Sequence, residues 1–206
     1  MDEFHDDDWI QDNFPAEIRR LHALGVIHVY WNQCENALFW LFAAVAKLPE
    51  MEAWAIAHDL GDIAICTRIA ALLRVKGRPE AAQYAIGNVL AVYDVCRQNR
   101  NQLTHFGVAQ FADNFTIGRK SKKPDSRKPG MFPSSIEHVR RVVDEIKALE
   151  ERMWFLTACQ ESFDNSGQAP WPAKLPLPEM LWKPPPPTPP ERPSRQRASP
   201  GVTSGL

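Results

Sequence analysis

The chain has 206 residues, of which 44% are hydrophobic and 24% charged, and its formal net charge is -1. This length allows one domain with its own hydrophobic core, together with tails outside that core. A net charge near zero argues against a protein that coats nucleic acid through bulk electrostatics, although a local basic patch can still serve a single site.

The acidic amino terminus, the cysteine spacing and the hydropathy limit the class of protein further. Residues 1–14 form an acidic segment with six Asp or Glu and neither Lys nor Arg, which is unlike a secretory signal. The four cysteines lie thirty or more residues apart without a C-x-x-C pair, so we expect reduced thiols in the cytoplasm and no metal or other cofactor. The longest apolar stretch, residues 37–46, is too short to cross a bilayer, so we expect no contact with membranes.

The first predicted helix starts after Asn13 or Phe14 and runs to Lys47, where Leu48 and Pro49 stop it. Its apolar residues recur on two neighbouring stripes at helical spacing. Such a helix needs two packing partners, so it is either central in its domain or shared with a second subunit.

Three further helices are predicted before the middle of the chain. Two are short, at 51–59 and 62–75, and the second opens with an Asp suited to capping. The third runs from Glu80 to about Leu103, because its apolar residues keep a helical period until the polar run 97–101.

The chain after this helix changes character three times. Residues 108–111 and 115–118 predict a short β-hairpin or an extended insertion, and a basic connection follows at 119–130. Ser134 or Ser135 then caps a helix that runs to about residue 161.

The last part of the chain is rich in proline. Twelve of the eighteen prolines lie between Pro170 and Pro200, which predicts a disordered tail at residues 164–206. Trp171 and Trp182 could dock the first half of this tail on the body. The predicted fold class is therefore mainly α, a bundle of about five helices over residues 15–163 with a small insertion after the fourth helix.

The chemistry-bearing residues cluster where the fourth helix ends. Arg100 and Asn101 are followed four residues later by His105, in the form R-N-x-x-x-H. RNA carries its own nucleophile, the 2′-hydroxyl, so cleavage without metal requires proton transfer and stabilisation of the phosphate charge. An imidazole titrates near working pH, and a guanidinium can hold two phosphate oxygens.

This motif, at the end of a long helix in a helical chain, resembles the signature of the higher eukaryote and prokaryote nucleotide-binding (HEPN) superfamily, which is rich in ribonucleases. The resemblance implies a metal-independent endoribonuclease with Arg100, Asn101 and His105 as catalytic residues. It also implies an RNA substrate, a homodimer in which two motifs share one cleft, and a role as a toxin or phage-defence effector with a possible inhibitory protein partner.

Other residues are expected to support this site. Glu35 on the first helix could orient Arg100 across the helix pair, while Arg97 precedes the motif and Thr104 lies within it. The basic connection could contact RNA phosphates or could be a solvated loop, and its first four cations are the RNA-binding candidates: Arg119, Lys120, Lys122 and Lys123.

A structural interpretation competes with the catalytic one. Arg and His in a last helical turn meet the negative end of the helix dipole, and this requires no substrate. Arg100 could also form a buried ion pair with Glu35. The alternative function is then a non-catalytic helical dimer that acts as a nucleotide-binding or protein-interaction module.

Overall fold

The computed structural model describes residues 18–105, 107–111, 114–118, 131–133 and 135–181. At Ile18, at His105 and in the strands, the description covers the backbone alone. The predicted acidic segment at 1–14 and the chain beyond Leu181 lie outside the described residues.

The described chain is mainly helical, which confirms the predicted fold class. Its helices are α1 (Ile18–Ala46), α2 (Glu50–Ala57), α3 (Asp62–Val75), α4 (Glu80–His105) and α5 (Ile136–Ser166). Within the described residues, none of these helices combines the length and the apolar character that crossing a bilayer requires.

Three short strands stand between α4 and α5, namely β1 (Gly107–Phe111), β2 (Asn114–Gly118) and β3 (Met131–Pro133). They form one antiparallel sheet in the order β1-β2-β3. Gly107 is opposite Gly118, so the sheet begins two residues after α4 ends.

Local backbone chemistry explains where the helices begin and end. Lys47 has a φ of 57°, and the Leu48 amide donates to the Ala43 carbonyl at 3.1 Å, so α1 closes in a left-handed turn before Pro49. At the start of α5, the Ser135 hydroxyl accepts a hydrogen bond from the His138 amide at 3.4 Å. Each of these contacts satisfies backbone groups that the helix itself leaves without partners.

The first helix is central in the bundle. On one apolar stripe of α1, the Cys34 thiol donates to the Ile146 carbonyl of α5 at 3.3 Å. On the neighbouring stripe, the Trp31 ring lies 5.0 Å from the Tyr93 ring of α4, measured between centroids. Both apolar stripes of α1 therefore find packing partners within one subunit, so they are explained without a second one.

The end of the bundle extends further than the sequence predicts. Helix α5 continues to Ser166, and Gly167 closes it with a φ of 74°. Residues 168–181, which the proline content assigns to a disordered tail, instead run in extended form against α4 and α5. The predicted docking of Trp171 is confirmed, because its ring packs against the core 6.1 Å from the Phe163 ring. Only residues 182–206 of the predicted tail remain outside the described chain.

Candidate functional site

The motif occupies the last two turns of α4, as predicted. The helix is continuous through Arg100, Asn101 and His105 and does not end between the arginine and the histidine. Positions five residues apart on a regular helix stand about 140° apart around its axis. Positions 100 and 105 of one subunit therefore lie on different faces of α4.

Arg100 is held by contacts on two sides. Its guanidinium carbon lies 5.6 Å from the centroid of the Trp31 ring, within the range of a cation–π interaction. Its Nη1 donates to the Oδ1 of Asn101 at 2.9 Å. The Trp31 side chain is itself buried, so the aromatic surface that carries Arg100 is rigid.

These residues line a cavity of about 570 Å³ between α1, the start of α3 and the end of α4. Its polar lining comprises two carboxylates, two guanidinium groups and one amide, contributed by Glu35, Asp62, Arg97, Arg100 and Asn101. This volume lies within the range of about 300 to 1,000 Å³ that is typical of ligand sites.

Hydrogen bonds already engage both carboxylates of the cavity. Glu35 accepts from the Trp31 indole nitrogen at 2.7 Å. Asp62 accepts from the backbone amide of Ile63 at 2.8 Å and from the Tyr93 hydroxyl at 3.4 Å. Burial raises the pKa of Tyr93, and the negative charge of Asp62 raises it further, so the phenol stays protonated and remains a donor.

Arg97 is anchored one turn before Arg100. Its Nη2 lies 2.7 Å from the Oδ1 of Asp94, and its side chain is 22% exposed. Asp94 also accepts from Gln98 at 2.8 Å. Because residues three apart share a helix face, Arg97 and Arg100 present two positive charges to the same cavity.

The predicted site residues fall into three groups. Arg100, Asn101, Arg97 and Glu35 line one cavity. Thr104 is exposed, does not line that cavity, and donates its hydroxyl to the Arg100 carbonyl at 2.9 Å within the helix. The imidazole of His105 and the basic candidates Arg119, Lys120, Lys122 and Lys123 lie outside the described residues.

Trp31 and Asp62 also line the cavity and are not among the sequence candidates. Trp31 lies one helical turn before Glu35, and Asp62 is the first residue of α3. The i,i+4 spacing of Trp31 and Glu35 is visible in the sequence, but the placement of Asp62 beside Arg100 depends on how α3 packs.

Comparison with protein-family models, with curated proteins and with solved structures found no match to this chain. The candidate site therefore rests on its own geometry and on the motif. Among the described residues, no group of three or more His, Cys, Asp and Glu is placed to hold a metal ion.

Proposed function

We propose that this chain is a metal-independent endoribonuclease of the HEPN type, whose substrate is RNA. The observation that carries the proposal is the position of Arg100, which stands on the face of Trp31 beside Asn101 in a cavity of about 570 Å³. A guanidinium held in this way is arranged in advance for a phosphate, and fixed positive charge stabilises a charged transition state most effectively.

The proposed reaction uses the 2′-hydroxyl of RNA as the nucleophile. A base removes the proton of this hydroxyl, its oxygen attacks the adjacent phosphorus, and the bond to the 5′-oxygen breaks as an acid protonates that oxygen. The products are a 2′,3′-cyclic phosphate and a 5′-hydroxyl. We assign proton transfer to His105, charge stabilisation to Arg100 and orientation of the phosphate to Asn101.

The cavity is lined by two carboxylates and two guanidinium groups, and an anionic ligand would contact the guanidinium groups. The two carboxylates accept hydrogen bonds from Trp31, Tyr93 and a backbone amide. Arg97 adds a second positive charge next to Arg100, and its partner Asp94 is half exposed, with 54% of its side-chain surface accessible. A phosphate group would have two arginines within one helical turn of each other.

The proposal includes a homodimer. Positions 100 and 105 lie on different faces of a continuous α4, so we expect one phosphate to be reached from these two positions of different subunits. Two copies of α4 meeting at their C-terminal ends would combine Arg100 of one subunit with His105 of the partner subunit. The proposal also includes a role as a toxin or phage-defence effector and an inhibitory protein partner. The resemblance alone supports these two parts.

The proposal is tested by the chemistry of the product ends. Purified protein is incubated with mixed cellular RNA in excess chelator, beside His105→Ala, and the fragment ends are mapped before and after removal of cyclic phosphates. We expect fragments with 2′,3′-cyclic phosphate and 5′-hydroxyl ends from the parent protein alone. Fragments with other ends, or equal cleavage by His105→Ala, would reject the assigned mechanism.

A second candidate function is a non-catalytic helical module that binds a nucleotide or a protein. The contacts of Arg100 with Trp31 and Asn101 favour it, because they join α1 to α4 and stabilise the bundle without any substrate. Under this alternative, Arg100→Ala lowers the unfolding temperature, and the parent protein never cuts RNA.

A further inference from the structure

Residues 168–181, here called the strap, lie in extended form across α4 and α5. The strap carries Pro170, Pro172, Pro176 and Pro178, whose rings fix φ near the value of a polyproline II helix. A polyproline II helix has no internal hydrogen bonds, and near its start the strap has one, from the Trp171 amide to the Ala169 carbonyl at 3.0 Å, so its other backbone N–H and C=O groups need partners elsewhere.

Two asparagines of α4 supply these partners. Asn88 donates to the Leu175 carbonyl at 3.1 Å and accepts from the Leu175 amide at 2.8 Å. Asn99 donates to the Glu179 carbonyl at 3.0 Å and accepts from the Leu181 amide at 2.9 Å. Each carboxamide thus pairs with one N–H and one C=O of the strap, as a neighbouring β-strand would.

The spacing of the two asparagines matches an extended peptide. Asn88 and Asn99 are eleven residues apart, which on a helix corresponds to about 16 Å along the axis and only about 20° around it. About five residues of polyproline II helix cover the same ~16 Å. Both amides therefore stand on one face of α4, in register with the strap backbone.

Side chains of the strap add a sequence requirement. Leu175 and Leu181 pack against the hydrophobic core, and the Glu179 carboxylate lies 3.3 Å from the Arg141 guanidinium of α5. Leu177, between them, is 61% exposed. In the strap sequence L-P-x-P-E-x-L, the contacts thus involve the first and last leucines and the glutamate, the prolines keep the backbone extended, and the third position is exposed.

Asn99 is the more deeply buried of the two asparagines and has no exposed surface while the strap is in place. When the strap leaves the groove, the Asn99 amide loses its hydrogen bonds to Glu179 and Leu181, and the backbone of another extended segment would restore both. A built polar lining of this kind is typical of a binding site for a peptide backbone.

We propose that the groove between α4 and α5 is a peptide-recognition site for extended, proline-spaced segments of the pattern L-P-x-P-E-x-L, and that the strap is its ligand bound in cis. The ligand in trans is a segment of this pattern in a partner protein, which binds when the strap opens. A peptide from another protein would make the same contacts to Asn88, Asn99 and Arg141, because none of these contacts requires the peptide to belong to the same chain. This inference does not rest on the proposed ribonuclease activity.

The unmodified full-length chain gives the first test. A synthetic peptide of residues 168–181 is titrated into the protein, and hydrogen exchange of the Leu175 and Leu181 amides is followed. A peptide that captures the open groove should speed their exchange in proportion to its concentration, about tenfold at ten times its Kd. A peptide of scrambled sequence should have no effect. Exchange that is unchanged at millimolar peptide would overturn the proposal.

Full-length variants give a second test. Leu175→Asp with Leu181→Asp should loosen the strap and allow saturable binding of the labelled peptide, whereas the matched change Leu177→Asp should not, because Leu177 is exposed. Adding Asn88→Ala and Asn99→Ala should weaken this binding at least tenfold. Binding that is insensitive to the asparagines, or absent in a loosened variant that remains helical, would overturn the proposal. If the loosened variant unfolds, the exchange experiment decides.

Discussion

The guanidinium carbon of Arg100 lies 5.6 Å from the centroid of the Trp31 ring, so the first residue of the motif on α4 stands on an aromatic side chain of α1. The same indole donates to Glu35 at 2.7 Å and contacts Tyr93 through its ring. Trp31 thus connects a cation of the candidate site to the buried core. Its packing and its polar contact can be separated by mutation.

We predict that Trp31→Phe keeps an aromatic face beneath Arg100 but loses the hydrogen bond to Glu35 and part of the buried indole volume. Its unfolding free energy should fall by about 1 to 2 kcal/mol, whereas Trp31→Ala should cost about 3 to 5 kcal/mol because it leaves a cavity in the core. Urea denaturation of both variants measures the difference. Trp154→Ala, at a position 38% exposed, is the control for losing an indole at the surface. Equal losses of unfolding free energy in Trp31→Phe and Trp31→Ala would show that Trp31 does not pack as described.

Periodicity makes the helical part of this fold predictable. The apolar spacing of α4 continues to the polar run at 97–101, so the sequence alone places the motif on the last turns of this helix. The two apolar faces of α1 are visible as well. The sequence does not decide whether a second subunit or the same bundle covers them, because that depends on how distant helices pack.

The strap shows what local sequence reasoning misses. Its prolines indicate a segment without helix or strand, and that property alone predicts disorder. Its order comes from Asn88 and Asn99, which are 87 and 82 residues away from their partners in the chain. Each asparagine by itself is an ordinary polar residue in a helix, so neither carries a local signal of the contact.

Asp164 joins three parts of the bundle and should make stability depend on acidic pH. Its carboxylate contacts Arg78, Lys47 and Gln160. Burial raises its pKa, but the hydrogen bonds from these three partners outweigh burial and lower the pKa from 3.8 to about 2. Because the folded-state pKa lies below the ordinary value, this contribution is present above about pH 4 and is lost as the pH falls towards 2.

We therefore predict that Asp164→Asn lowers the unfolding free energy at pH 7 by about 2 kcal/mol, the energy that corresponds to the lowered pKa, since the Arg78 side chain, only 6% exposed, loses its ionised partner. Between pH 4 and pH 2, the stability of the variant should also fall less than that of the parent protein. Thermal unfolding across this pH range measures both effects. Asp59→Asn is the matched control, because Asp59 is 95% exposed and should contribute less than about 1 kcal/mol. Equal losses for the two variants would contradict the buried ion pair.

Two glycines should respond to alanine with opposite signs. Gly87 lies within α4 with open space where a Cβ would stand, so Gly87→Ala should stabilise the chain by about 0.5 to 1 kcal/mol. Gly167 ends α5 with a φ of 74°, so Gly167→Ala should destabilise it by a similar amount. Denaturant midpoints of the two variants test the pair. A gain in stability for Gly167→Ala would show that α5 does not end in the left-handed turn described here.

The buried thiols should resist alkylation in the folded protein. Burial, together with a smaller effect of nearby negative charges, raises the pKa of Cys66 and of Cys96 to about 12. Since the thiolate is the reactive form, labelling of these thiols at pH 8 should be slower than that of a free thiol by on the order of a thousandfold. Mass spectrometry after timed alkylation measures the rates, and the same protein in denaturant is the control. Rapid labelling of Cys96 in the folded state would contradict its buried position.

The catalytic roles proposed for Arg100 and His105 are tested most directly by comparing cleavage with stability in matched variants. Rates of RNA cleavage in chelator and unfolding free energies are measured together for Arg100→Ala, His105→Ala and the control Arg74→Ala, whose residue is exposed on α3. We predict that the first two variants lose at least a hundredfold in rate while retaining a folded, dimeric state, and that the control cleaves as the parent does. Loss of stability in Arg100→Ala, with no cleavage by the parent protein, would contradict these roles and favour the non-catalytic helical module.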